Sequence, residues 1–373
     1  MPHNYIQKIL DADIYDLVVK TPVDRAPLLS QRLNNQVLLK REDLQPVFSF
    51  KLRGAYNKLR YLNEQQLADG VIAASAGNHA QGLALAAKQM GIKAIIVMPR
   101  TTPSIKVDAV RSRGAEVVLV GDNYDAAAAH ADKLVAEQGL TYIHPFDDPD
   151  VIAGQGTIGV EILDQVPGKL DAVFIAVGGG GLCAGVAAYI KQHRPEVKII
   201  AVESDDAACL DAALKAGRRV RLKEVGIFAD GTAVAQIGEE TFRLLKDLVD
   251  EVITVTTDEI CAAIKDVYND TRAICEPSGA LGTAGLKKYV AQHGVQNQTL
   301  LSVQCGANID FEQLASVARR SAVGATRRCF LQIEIPEKPG AMLALAKQLP
   351  ASTNIVAFQY GKTQRQTAAP ILG

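Results

Sequence analysis

An α/β protein built on parallel sheets, with helices on both faces, is what the sequence predicts from two observations. Short apolar runs alternate with helix-period segments for most of the 373 residues. Two of those runs also end in small-residue turns that open directly into a helix: Ser75–Gly82 after Val71–Ala74, and four glycines after Ala172–Val177.

Taken in order, the strand candidates are Val37–Leu39, Val71–Ala74, Ala94–Met98, Glu116–Val120, Ala172–Val177, Ile199–Val202, Val252–Val255 and Leu300–Val303. Each is short and rich in β-branched or aliphatic residues. Between them, apolar residues recur at helical spacing in Lys51–Leu62, His79–Gln89, Tyr124–Glu137, Gly181–Gln192 and Thr257–Tyr268. His144–Asp150 reads as a crossing loop between two groups of βα units, from about Gly54 to Pro145 and from Val151 to Arg320. From Ala172 to Ile190 no residue is charged, the length of a membrane span, but its glycines cluster at a strand-to-helix junction and favour a buried βα unit. Four arginines among residues 319–328 interrupt the pattern and read as a solvated connector, since no aromatics interleave as a nucleic-acid patch would require. Beyond it, Phe330–Ile335 reads as a strand, Gly340–Gln348 as a helix and Ile355–Tyr360 as a second strand. Such a lone βαβ cannot cover its own apolar faces and should pack on the main body or another subunit.

Composition narrows the function classes. Forty basic against 41 acidic residues give a net charge of −1, with no global field to attract nucleic acid or an anionic membrane. The N-terminus has no basic region followed by an apolar run, so a secretory leader is not expected. Six cysteines without a CxxC pair or regular spacing suit reduced thiols in a cytoplasm, rather than a disulfide frame or zinc site.

Four motifs carry chemistry. Lys51, in Ser49–Ala55, opens a helix; the helix dipole and nearby Arg53 both favour its neutral, nucleophilic amine, although most lysines at helix starts are simply solvated. Ser75–Gly82 offers free N–H groups to a carboxylate or phosphate, but the same residues also serve as an ordinary helix cap. In that turn His79 reads as a helix-start residue rather than a general base. Gly178–Gly181 leaves several N–H groups uncovered at a helix start, a phosphate seat. The run Gly179–Ala184 also fits the dinucleotide pattern GxGxxA, with Glu203 placed as a ribose acid, so a nicotinamide oxidoreductase is a rival. Cys305, after Leu300–Val303, lies at the carboxyl edge of a strand where ligands of open sheets collect.

The four motifs in this order resemble the fold-type II pyridoxal-phosphate enzymes of the tryptophan synthase β superfamily, and within it the threonine dehydratases of biosynthetic type. The resemblance runs through Lys40–Tyr56, Ser75–Gly82, Val151–Thr157, Gly178–Leu182, Glu276–Ala280 and Gly306–Asn308, across roughly residues 15–320. It implies two open twisted sheets: a large domain from residues 1–53 and 146–320, and a small one from 54–145. The segment 321–373 resembles the start of an ACT-like regulatory region, shortened enough that isoleucine feedback is expected to be weak or absent. It also implies pyridoxal 5'-phosphate as cofactor, bound to Lys51 as a Schiff base. Phe50 would pack on its ring, Asn78 would bond its 3-oxygen, Gly178, Gly179, Gly180, Gly181 and Leu182 would seat its phosphate, and Cys305 would face its pyridine nitrogen. Ser75, Gly77, Asn78 and His79 would border the substrate carboxylate. The implied reaction is β-elimination of L-threonine or L-serine to a 2-oxo acid and ammonia, in a cytoplasmic homodimer or homotetramer that binds neither nucleic acid nor membrane. A catabolic threonine or serine dehydratase is the alternative within the family. Serine racemases place a second serine where this chain has Ala76, which disfavours racemisation. Their cation loop maps onto Glu203, Ala207 and Cys209, and the thiol in the third place leads to an expectation of no metal.

Overall fold

The computed structural model describes residues 3–329, 331, 333–350 and 352–358. The chain divides after Arg328 into a large unit and a short C-terminal one. In the large unit ten strands are formed: β1 Val23–Arg25, β2 Gln36–Arg41, β3 Val71–Ala74, β4 Ala94–Met98, β5 Glu116–Leu119, β6 Thr141–Tyr142, β7 Ala172–Ala176, β8 Lys198–Ser204, β9 Glu251–Val255 and β10 Thr299–Gln304. They make a six-stranded sheet in the order β1-β2-β10-β7-β8-β9 and a four-stranded sheet in the order β5-β4-β3-β6. Every pairing is parallel except β1 with β2.

All residues of β3, β4, β7 and β10 are buried, because helices cover both faces of the parallel ladders. That is why β3, β4 and β7 show as continuous apolar runs, while in β10 Thr299, Ser302 and Gln304 are buried among apolar neighbours. Leaving β2, the chain builds the small sheet and returns through helix Pro149–Gln165 to β7 at the middle of the large one.

Helix Pro149–Gln165 packs at backbone distance on two others. A Cβ on its Gly154 would lie 2.6 Å from the Arg53 carbonyl and 2.8 Å from Gly54 Cα, in helix Lys51–Arg60. On its other flank, a Cβ on Gly185 of helix Gly181–His193 would lie 2.3 Å from the Ile152 carbonyl. A buried ion quartet crosses the first contact. Arg53 bonds Glu42 at 2.7 Å and Glu161 at 2.6 Å, and Lys40 bonds Glu161 at 2.5 Å. Two cations and two carboxylates balance, and Thr21 and Tyr15 complete their hydrogen bonds.

Two expectations need correction. Arg319 and Arg320 belong to helix Gln313–Gly324, with Arg320 paired to Asp258 at 3.0 Å, so only Arg327 and Arg328 lie in a connector. In the C-terminal unit the helix is formed, as Ala341–Gln348, but residues 331, 333–336 and 353–358 carry no strand. Leu331, Ile333, Ile355 and Phe358 are each between 46% and 67% exposed, so these segments bury too little apolar surface to hold a ladder. Phe330 and residues 359–360 of those two predicted strands lie outside the described residues.

Gly154→Ala should lower stability by about 1–3 kcal/mol, because the added methyl has no room beside the Arg53 carbonyl. Gly168→Ala, where a Cβ meets nothing within 4 Å, should stay within about 0.5 kcal/mol. Urea unfolding midpoints of the two variants check this; equal midpoints would contradict the close helix contact.

Candidate active site

Lys51 is the first residue of its helix, and two backbone bonds fix its approach. Phe50 N donates to Cys305 O at 3.2 Å and Ala307 N donates to Phe48 O at 2.9 Å, so residues 48–50 lie antiparallel to the chain leaving β10. The Lys51 amine lies 5.4 Å from the centre of the buried Phe50 ring and donates to Pro145 O at 2.8 Å. Burial drives its pKa down from 10.5 to about 8, with Glu276 acting in the opposite sense. Arg53 has no part in this. Its guanidinium is fully buried and its charge is absorbed by Glu42 and Glu161, which corrects the expectation that Arg53 favours the neutral amine.

The glycine loop lies one dipeptide away. Phe146, next to Pro145, packs against its Cα atoms: a Cβ on Gly179 would stand 2.2 Å from the Phe146 ring, and one on Gly181 would stand 2.8 Å from the Phe146 carbonyl. The loop carbonyls turn into the protein. Gly178 O accepts from Cys209 Sγ at 3.3 Å, Gly179 O from Thr241 Oγ1 at 2.7 Å, and Gly180 O from Ala184 N at 2.9 Å. Gly180, with φ of +94°, makes the turn into helix Gly181–His193, whose first intrahelical donor is Ala184. The N–H groups of Gly181, Leu182 and Cys183 are therefore left without helical acceptors at the positive end of the dipole, a seat for a phosphate.

Across the site, the turn after β3 is half-buried at Ser75, Gly77 and Asn78, and a Cβ on Gly77 would meet nothing within 4 Å. Gly77 N donates to Ser75 Oγ at 3.3 Å, and helix Asn78–Met90 starts with Gln81 as its first donor, so the N–H groups of Asn78, His79 and Ala80 have no helical acceptor. His79 bonds Ile143 O through Nε2 at 2.8 Å, and its buried Nδ1 has no partner. Burial, with the Lys51 charge, lowers its pKa to about 3, so the ring is neutral. The Cys305 thiol is buried, donates to Ser278 O at 3.2 Å and is pushed well above its ordinary pKa by desolvation, which keeps it neutral.

Phe50 thus bonds to Cys305, Lys51 reaches the glycine loop through Pro145 and Phe146, and Asn78, which ends the Ser75–Gly77 turn beside His79, is tied by Asn308 to the chain leaving β10. Two further groups join them without having been assigned a role from sequence. Glu276 accepts from Asn78 Nδ2 at 2.6 Å, and Asn308 donates to Asn78 Oδ1 at 2.7 Å. Both stand inside motifs that the sequence singles out, yet each meets Asn78 across roughly 200 residues. Glu203 is not available to a ribose: both carboxylate oxygens cap the next helix, accepting from Leu210 N at 2.8 Å and Asp211 N at 2.9 Å. Among the described residues no cluster of three His, Cys, Asp or Glu side chains is placed to hold a metal.

A family profile described as "Pyridoxal-phosphate dependent enzyme" matches residues 14–306. The chain is 53% identical to the L-threonine dehydratase biosynthetic IlvA of Burkholderia multivorans, over 100% of this chain and 74% of that protein. To the corresponding Escherichia coli protein it is 50% identical, over 99% of this chain and 71% of that one. Among solved structures it resembles the processed form of threonine deaminase isoform 2 from Solanum lycopersicum, with a TM-score of 0.84 and 50% identity over 86% of this chain and 93% of that one. It also resembles serine racemase from Dictyostelium discoideum, with a TM-score of 0.76 and 33% identity over 82% and 99%.

Reductive methylation of ligand-free protein checks the depressed amine. Lys51 should react half-maximally near pH 8, because the neutral form attacks and gains as pH rises through that value. Solvated lysines should need about two pH units more. Peptide mapping showing Lys51 titrating with the bulk lysines would contradict the desolvation.

Proposed function

The chain belongs to the pyridoxal-phosphate dependent enzyme family, and from that premise we infer that it is a threonine dehydratase of the biosynthetic kind, forming 2-oxobutanoate and ammonia. The observation that carries this is a desolvated lysine amine one dipeptide from a glycine loop whose N–H groups lack acceptors, in a chain about half identical to such enzymes. The residues fit the cofactor: an amine able to take an aldehyde, an apolar ring beside it, and an uncovered N–H cradle for a phosphate. When bound, pyridoxal 5'-phosphate supplies an aldehyde for the substrate amine and an electron sink for the Cα carbanion.

The rest is done by this chain's own side chains. Gly178–Leu182 hold the phosphate. Ser75 and the N–H groups of Gly77, Asn78 and His79 hold the substrate carboxylate, and the Phe50 ring walls the site. Lys51, half neutral near pH 8 where a free lysine is almost wholly protonated, takes the Cα proton. Cys305, kept neutral by burial, cannot act as an anionic partner for the pyridine nitrogen as a carboxylate would, which favours loss of the β-hydroxyl over reprotonation. Ala76 offers no proton from the opposite face, so elimination, not racemisation, is the expected outcome for L-threonine and L-serine. We also propose that residues 54–145 act as a small domain against 1–53 with 146–320, that 321–373 begins an ACT-like region, and that the enzyme works in the cytoplasm as a homodimer or homotetramer.

The purified protein should show the visible absorbance of bound cofactor and release 2-oxobutanoate from L-threonine, with a higher kcat/KM for threonine than for serine. Lys51→Ala should lose both absorbance and turnover. An active Lys51→Ala variant would overturn the assignment of Lys51, and a serine preference would favour a catabolic serine or threonine dehydratase.

A further inference from the structure

Asn78 is clamped by two side chains that no step above uses. Its Nδ2 donates to Glu276 Oε1 at 2.6 Å, while its Oδ1 accepts at 2.7 Å from Asn308 Nδ2, which also donates to Val47 O at 2.8 Å. A flipped amide would set oxygen against the carboxylate and nitrogen against the Asn308 amino group, so this clamp admits one orientation. The second Nδ2 hydrogen of Asn78 is left for the site.

The chain makes room for this pair. A Cβ on Gly306 would stand 2.3 Å from Glu276 Oε1 and 3.3 Å from Asn78 Nδ2, and Gly306 O accepts from Glu276 N at 3.1 Å. Glu276 is only 2% exposed, at the N-cap of helix Pro277–His293, yet its side chain makes no cap hydrogen bond. The charged or titratable groups that face it are Lys51 at its helix start, Cys305 after β10, neighbouring Cys275, Asp230 of the turn Asp230–Thr232, and Lys106 of helix Ser104–Arg111, itself bonded to Asp230 at 2.6 Å.

We propose that Glu276 is a positioning residue of the reaction: it fixes the Asn78 amide so that one N–H is left for the cofactor's phenolic oxygen. Gly306, against which Glu276 packs, pairs with Ser49 two residues before Lys51, and the carboxylate there favours the protonated Lys51 nitrogen. This rests on the assignment of Asn78 and Lys51 to the cofactor. Desolvation, with the Asp230 charge, raises the Glu276 pKa to about 7. The negative charge is therefore lost as pH falls through neutrality, and the bias on Lys51 is lost with it.

The test is a pH titration of the visible absorbance of the holoenzyme. In Glu276→Gln the midpoint should fall by about one pH unit, because the nearby negative charge is gone. Glu276→Asp retains the charge and should keep the wild-type midpoint. In both variants kcat should fall about tenfold as the clamp on Asn78 loosens, with KM for threonine changing less than about threefold. Asn308→Ala, which spares the carboxylate, should raise the cofactor dissociation constant about tenfold without moving the midpoint. A Gln variant titrating as wild type, equal shifts in the Gln and Asp variants, or an unchanged cofactor constant in Asn308→Ala would each overturn the inference. A wild-type protein with no visible band would overturn the cofactor assignment itself, and this inference with it.

Discussion

The position of the Lys51 amine is set by how closely helix Pro149–Gln165 can approach its two neighbours. Gly154 lets it reach the backbone of helix Lys51–Arg60, and Gly185 lets helix Gly181–His193 reach it from the other side. The helix carrying the amine and the helix that opens from the glycine loop are thus referenced to one rod, through main-chain contacts that no rotamer change can relax. Arg53, Glu161, Lys40 and Glu42 add charge to the same joint. Removing any one of them leaves a partner buried and uncompensated, a change that costs far more than a surface ion pair. The amine's reach to Pro145, and so to Phe146 and the loop, is a consequence of that joint.

Burial does the electrostatic work at the site, and it acts in opposite senses on groups of opposite charge. It lowers the Lys51 and His79 pKa values and raises those of Glu276 and Cys305. Each of these groups is pushed toward its neutral form: His79 and Cys305 are neutral near pH 7, while Lys51 and Glu276 are brought to titrate within about a unit of it. An anionic phosphate or carboxylate then meets N–H dipoles that are already oriented, with no competing counter-ion to displace. Arg53, only two residues from Lys51, would be the natural source of a depressed amine pKa, yet its charge is spent within the ion quartet.

Much of this was legible in the sequence, and the boundary follows physical lines. Strands β3, β4 and β7 announce themselves because burial on both faces makes them unbroken apolar runs, whereas β10 is equally buried but broken by Thr299, Ser302 and Gln304. The three-residue edge strand β1 and two-residue β6 are too short to leave a pattern. Lys51, Asn78 and Gly178–Gly181 stand in distinctive local motifs that are readable without the fold. Arg53 reads from sequence as a neighbour of Lys51 because spacing alone does not show that Glu42, 11 residues away, and Glu161, 108 residues away, take up its charge. Glu276 and Asn308 stand in sequence motifs that carry no sign of their task, since their bonds to Asn78 span 198 and 230 residues. In the C-terminal segment the pattern of apolar residues is present, but pattern alone does not supply a surface to bury them against.

The glycine loop shows why a motif must be read with its surroundings. Four consecutive glycines suggest a ligand pressed against bare backbone, but each is also required by the protein itself. Thr232 lies against Gly178, Phe146 against Gly179 and Gly181, and Ile237 and Thr241 against Gly180. What points to a phosphate is therefore not the number of glycines but the direction of their peptides: the carbonyls of Gly178, Gly179 and Gly180 are all bonded inward. The same logic removes the dinucleotide alternative. A ribose acid must keep a carboxylate free at the strand end, whereas Glu203 closes both oxygens onto Leu210 and Asp211 to start a helix. A phosphate seat without a ribose acid suits a cofactor whose other anchor is covalent, and the desolvated Lys51 amine beside it is such an anchor.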